Sequence, residues 1–228
     1  MARSKGQVDE AIEHIVTTGI APALSAAGFE RADLAFVRSR GDVHQVVDVQ
    51  RSLRNEDNRG RFTLNLAVAS LEITRLWHAE RVARGPASEQ SWLISQRVGA
   101  LIDPPADRWW DLDDDTDLEA VAATMKEIIA SPVLPFFEIR TLRSCAGLLR
   151  HLETGHPLPG RVVNQEELHA LLLHHQGRQA DAVAFLERMA RRSRGKPWLE
   201  GYVNRIDRLA ARLDETTVVD RAPPVRTM

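Results

Sequence analysis

The stretch HQVVDVQRSLRNEDNRGRFTLNLAV, residues 44–68, holds two runs of alternating character around a polar loop that ends in Gly60. Successive side chains of a strand point to opposite faces, so this pattern predicts an antiparallel hairpin with one buried side. In the second run Phe62, Leu64, Leu66 and Val68 share one side, and Thr63 and Asn65 share the other. In the first, Val43, Val47 and Val49 fall with Gln45, while Val46 falls with His44, Asp48 and Gln50. If the register aligns them, Asp48, Gln50, Thr63 and Asn65 form one polar surface, which is the candidate recognition surface of the chain.

Helical spacing precedes this hairpin at Val8, Ala11, Ile12, Ile15, Val16, Ile20 and Leu24, with a kink or two abutting helices expected at Pro22 and a stop at Gly28. Leu34 and Phe36 then alternate as a strand that closes on the turn Ser39-Arg40-Gly41-Asp42. Residues 71–91 are ambiguous, Ile73, Leu76, Trp77 and Val82 fitting a short helix while EITRLW also fits a strand before Gly85-Pro86, with the helix preferred; SWLISQRV, residues 91–98, reads as a fourth strand. Thr116 and Glu119 have capping-box spacing, so a helix is expected from there to about Ala130. Beyond Pro132 and Pro135, a single helix is expected to carry Phe137, Leu142, Cys145, Leu149 and Leu152.

After HPLPGR, residues 156–161, Asn164 is placed to cap a helix that ends near Gly177. Two further helices follow, the last with Trp198, Tyr202, Ile206, Leu209 and Leu213 as its apolar stripe. The expected fold is therefore α+β, an antiparallel sheet of about four strands covered on one face by helices, with a helical C-terminal subdomain. The expected division is a sheet domain over 1–155, a helical bundle over 161–213, and a disordered tail over 214–228.

Thirty basic residues against thirty-two acidic ones give a net charge of −2, which argues against a global attraction to nucleic acid or an anionic membrane. No signal-like apolar segment follows the N-terminus, and no window reaches roughly 18 uninterrupted apolar residues. A cytoplasmic protein without membrane association is expected. The single cysteine, Cys145, cannot form an internal disulfide, in keeping with a reducing compartment. Nothing in the sequence signals an oligomeric state.

The candidates for chemistry each have a structural reading. His169, His174 and His175 are spaced by five and six residues rather than four, so they do not converge on one helix face as zinc ligands would; a solvated face is expected. The same reading is extended to His151 and His156. Glu166-Glu167-Leu168-His169 contains a single Glu-x-x-His pair, where a di-iron bundle needs two. Asp111, Asp113 and Asp115 alternate like calcium ligands, but Thr116 stands where the loop needs glycine and Ala122 where it needs glutamate. Cys145 reads as core, and Trp109-Trp110 as a core plug with one ring partly exposed or as a protein-binding anchor. Arg188, Arg191 and Arg192, with Arg194 and Lys196, are the candidate phosphate contacts, although cations also suit a helix C-terminus. No metal site, cofactor or catalytic constellation is expected.

The order of short pieces IAPALSAAGFERADLAFVR, HQVVDVQRS, RFTLNLAV, SQRVGAL and WWDL resembles a bacterial domain family of unknown function. The matching positions are Pro22, Leu24, Gly28, Phe29, Phe36, Gln50, Ser52, Phe62, Asn65, Arg97, Trp109 and Trp110, and the resemblance spans roughly residues 8–135. The family has no established activity, so no catalytic residue carries over. Some relatives are suspected toxin-immunity proteins, and the resemblance implies a protein-binding role of that kind. The expectation is thus a non-enzymatic binding module with a protein partner. The alternatives are an enzyme with its site between sheet and C-terminal helices, and a nucleic-acid-associated protein acting through residues 188–196, for which the charge balance makes a weak case.

Overall fold

The two alternating runs form the longest strands of the sheet, β3 (Val43–Arg51) and β4 (Gly60–Ala69), with Asp48 opposite Asn65 and Gln50 opposite Thr63. The computed structural model describes residues 6–56, 59–77, 85–155, 158–162 and 164–215. Before the hairpin come β1 (Glu30–Ala32) and β2 (Ala35–Arg40); after it come β5 (Trp92–Arg97), β6 (Trp110–Leu112) and β7 (Arg161–Val162). The spatial order is β1-β2-β3-β4-β5-β7, with β6 also paired to β4, and every pairing is antiparallel. The expected count of about four strands is corrected to seven among the described residues. The additional strands β1, β6 and β7 are two or three residues long, too short for alternation to show in the sequence.

β5 and β6 share one edge of β4. Arg97 of β5 lies opposite Asn65, and Trp110 of β6 lies opposite Phe62. Between them the chain leaves the edge, makes a 3-10 turn over Val98–Leu101, and returns along an irregular segment. Gly99 permits that return, because a Cβ there would lie 2.3 Å from the carbonyl oxygen of Ala106. This detour places Asp107, Arg108 and Trp109 against the sheet.

Helices α1 (Gln7–Ile15) and α2 (Ala21–Ala26) are joined by a π-helical turn over Val16–Ile20, with Pro22 in the first turn of α2, where its missing N–H does no harm. Gly19 in that turn approaches α4 (Leu118–Ile128) so closely that a Cβ would lie 2.4 Å from the Ala122 carbonyl oxygen. The other helices are α3 (Leu71–Trp77), α5 (Leu134–Glu138), α6 (Cys145–Glu153), α7 (Gln165–His175), α8 (Gln179–Ser193) and α9 (Glu200–Glu215). Leu118–Glu138 is apolar and long enough by composition to cross a membrane, but it is broken at Ser131 and buries Met125, Ile129 and Val133 in the core.

Every described α-helix contributes buried side chains to one core, which meets the sheet through Phe36, Val47, Val49, Phe62, Leu64, Leu66 and Val68. Burying a side chain of this size contributes about 1.5–3 kcal/mol, so this face anchors the fold. A buried polar clamp reinforces it. The Arg38 guanidinium donates to Gln45 Oε1 (2.8 Å), the Ala27 carbonyl (2.9 Å) and Glu138 Oε1 (3.1 Å), and lies 4.6 Å from the Phe29 ring centre. Gln45 in turn donates to the Phe137 carbonyl at 3.0 Å, so the inward polar residue of β3 joins sheet to helix.

Several local expectations change. Asp117, not Thr116, caps α4, accepting from the Ala120 amide at 3.1 Å, because the Thr116 hydroxyl is engaged with Asp113. The helix expected to run from Phe137 to Leu152 is divided at Ile139–Ser144 into α5 and α6, so Cys145 opens a helix instead of lying within one. Asn164 precedes α7 at φ 57° but makes no side-chain cap. Trp198 leaves the apolar stripe for a 3-10 turn and is 79% exposed. The expected tail from 216 onward, part of the stretch expected to separate sheet and helical bundle, including His156, and residues 78–84 lie outside the described residues.

Candidate functional site

The sheet face opposite the helical core carries a small apolar cluster whose members, Val46, Ala67, Ala69, Val37 and Trp92, all come from strands. Register arranges this outer face in rows. One row runs Val37, Val46, Ala67, Ser95, Arg161; the next runs Ala35, Asp48, Asn65, Arg97. Small side chains therefore floor a shallow depression with polar groups along one side.

The structure brings the four residues expected on this face together and adds Arg97. Asn65 is buried and donates through Nδ2 to Asp48 Oδ2 (3.0 Å) and Gln50 Oε1 (2.9 Å). Arg97 donates to the same Gln50 oxygen (3.0 Å) and to Asp107 Oδ1 (2.7 Å), with a long contact to Asn65 Oδ1 at 3.4 Å. Thr63 is fully buried instead of lining a surface, because its hydroxyl donates to the Arg108 carbonyl at 2.8 Å under the returning segment. Trp109 lies 5.1 Å from the Arg97 guanidinium and 4.9 Å from that of Arg61, and its indole N–H reaches Asp107 at 3.3 Å. Trp110 stacks on Phe62 on the core side at 5.6 Å, so the two tryptophans divide between the faces.

Burial raises the Asp48 carboxyl above the ordinary carboxylate value, and the bond from Asn65 offsets this in part. The Arg97 bond holds Asp107 below that value. Beside the network opens a concavity of about 610 Å³ lined by Gln50, Asn65, Trp92, Ser95, Arg97 and Arg161, among others. It is open and lined by polar and apolar groups together, with charges of both signs at Glu89, Arg97 and Arg161. Small-molecule pockets are more enclosed and more apolar, so the chemistry on offer is hydrogen bonding and charge pairing across a shallow surface. The Trp92 indole nitrogen is buried with no partner among the described residues.

Arg188, Arg191 and Arg192 remain on the exposed side of α8, far along the chain from the sheet. Acids interleave with them: Arg191 is 4.0 Å from Glu187, and Arg194 pairs with Asp207 at 3.0 Å. Asp113 is spent on its own turn, bonding Thr116 and the Asp115 amide.

The expectation of solvated histidines holds for neither His174 nor His175, which are both buried. α7 is enclosed by α3, α6 and α8, so its C-terminal turn is interior whatever its polarity. His169 is half-buried against Phe185, with ring centres 4.6 Å apart. His175 meets Asp42 Oδ2 through Nε2 at 3.2 Å and Glu72 Oε2 through Nδ1 at 3.3 Å. The donor atoms of Asp42, Cys145 and His175 all lie within 4.8 Å of one another, a grouping of possible ligands that sequence spacing does not reveal.

What fold and site define is an α+β domain whose antiparallel sheet packs helices on one face and carries a connected polar network on the other. The chain belongs to the DUF4304 family, a domain of unknown function, which it matches over residues 20–139. That span runs from the end of the π-helical turn to just beyond α5, and so contains β1–β6 and the whole Asp48–Asn65–Gln50–Arg97 network. No curated protein and no solved structure matches the chain.

Proposed function

We propose that the outer face of the sheet is a recognition surface for a protein partner, and that the chain is a non-enzymatic, cytoplasmic binding module of the toxin-immunity kind. The observation that carries this reading is the fixed Arg97. Its guanidinium is held by Gln50 and Asp107 and lies beside Trp109 at the edge of an open concavity. Arginine and tryptophan are the side chains that most often dominate binding energy at interfaces, and holding them in place before contact reduces the entropy lost on binding. Charges of both signs suit a partner with the complementary mixture, which favours a protein over a polyanion.

The test is affinity capture from the native cell with the full chain, followed by calorimetry with the purified partner. Arg97→Ala and Trp109→Ala should each weaken the complex by at least 30-fold, roughly 2 kcal/mol, while the variants keep a cooperative melt. Full affinity in both variants refutes the assignment of this face.

A further inference from the structure

We propose that Asp42, Cys145 and His175 form a binding site for one divalent transition-metal ion, with zinc the best match to their donor atoms. The three come from separate places: the turn between β2 and β3, the first residue of α6, and the last residue of α7. Zinc bonds of about 2.0–2.3 Å in a tetrahedron place neighbouring donors about 3.3–3.8 Å apart. Asp42 Oδ2 and His175 Nε2, 3.2 Å apart, already lie close to such an edge. Since all three donors lie within 4.8 Å of one another, shifts of about 1 Å or less complete the geometry. Three protein ligands leave the fourth position to water.

The surroundings match those of a built site. His175 presents Nε2 to the centre while Nδ1 faces Glu72 Oε2 at 3.3 Å, the carboxylate-histidine arrangement that orients metal-bound imidazoles. Asp42 Oδ1 accepts from the Cys145 amide at 3.1 Å, which turns Oδ2 toward the ligand centre. An open cleft of about 360 Å³ lined by Gly41, Asp42 and Ser144 offers an entry path.

A catalytic thiol fits less well. Both ring nitrogens of His175 meet carboxylates, so neither is presented to the sulfur as a base. Burial, followed by the Asp42 charge, raises the Cys145 thiol and keeps it protonated in the metal-free chain, a balance that a bound dication reverses. A plain ion-pair network accounts for Asp42, His175 and Glu72 but leaves the buried sulfur with a long contact to the Asp42 carbonyl, at 3.8 Å. Occupied, the site would staple α6 and α7 to the sheet.

Cobalt(II) titration of the chelator-stripped full chain tests this. Because Cys145 is the chain's one cysteine, a thiolate-to-cobalt charge-transfer band in the near ultraviolet reports this sulfur alone. The expected result is saturation at one equivalent, displacement by zinc, and a Tm that rises with zinc concentration. Cys145→Ala should abolish the band, whereas Glu72→Gln should keep it with affinity about 10- to 100-fold weaker. Should Cys145→Ala fail to fold, the wild-type titration and Glu72→Gln decide. A wild-type chain with no charge-transfer band and a Tm indifferent to zinc overturns the proposal, as does an undiminished band in Cys145→Ala or unchanged affinity in Glu72→Gln.

Discussion

Asn65→Ala tests whether the outer-face network is an energetic unit. The substitution removes two donated bonds, one to Asp48 at 3.0 Å and one to Gln50 at 2.9 Å. A bond to a charged acceptor contributes about 1.5–3 kcal/mol and a neutral one about 0.5–1.5, for a ceiling of about 2–4.5 kcal/mol. Asp48 and Gln50 are only half-buried, so water reaches the freed oxygens and recovers roughly half of this. The 3.4 Å contact from Arg97 is too long to add much. The expected loss is about 1–2 kcal/mol at pH 7, equivalent to a Tm lowered by about 2–8 °C for a chain of this size.

Urea denaturation measures the loss directly, and a double-mutant cycle with Asp48→Ala isolates the charged bond. A coupling of about 1 kcal/mol is expected at neutral pH, shrinking in acid as Asp48 takes up its proton. Coupling below about 0.3 kcal/mol at pH 7 would mean the two side chains are neighbours without interacting, and the case for a preorganised face would fall with it.

Asp48 gives a pH signature of unusual sign. Burial makes its carboxyl more basic in the folded chain than in the unfolded one, so its contribution to stability falls as pH rises from the ordinary carboxylate range through its own titration. Asp48→Asn keeps an acceptor for Asn65 and should abolish that fall, seen as urea midpoints that gain on wild type between pH ~3.5 and ~7; parallel curves refute it. Asp42 behaves oppositely: burial raises its carboxyl, but bonds from His175 and the Cys145 amide outweigh this and lower it, so its stabilisation is complete above the ordinary value and lost in stronger acid. Asp42→Asn should remove that part of the acid loss in the same measurement. Gly99→Ala should displace the segment carrying Asp107 and Trp109, changing tryptophan fluorescence and partner binding, because its Cβ would meet the Ala106 carbonyl oxygen at 2.3 Å. Arg38→Ala leaves Gln45 and the Ala27 carbonyl without their donor and should lower stability by about 2–4 kcal/mol in urea, discounted for the half-exposed Glu138.

The central hairpin was legible because its information is local: Phe62, Leu64 and Leu66 alternate with Thr63 and Asn65 over adjacent residues, and alternation requires a face to bury. The same periodicity placed Asp48, Gln50 and Asn65 together, and the amphipathic spacing of residues 8–24 was equally readable, although the irregularity falls in the π-helical turn over Val16–Ile20, before Pro22. Short strands such as Trp110–Leu112 have no period to read and exist only because β4 offers an unpaired edge. Thr63 looked like a surface residue until the segment returning from Gly99 covered it.

Arg97 was marked in the sequence only through the family pattern, whereas its bonds to Gln50 and Asp107 depend on register and on that returning segment. The approach of Asp42, Cys145 and His175 was hidden altogether, since more than a hundred residues separate the first from the others. Periodicity along a chain determines which side of an element is buried; which distant side chains then meet is decided by how the elements pack, because those contacts have no local trace in the residues that make them.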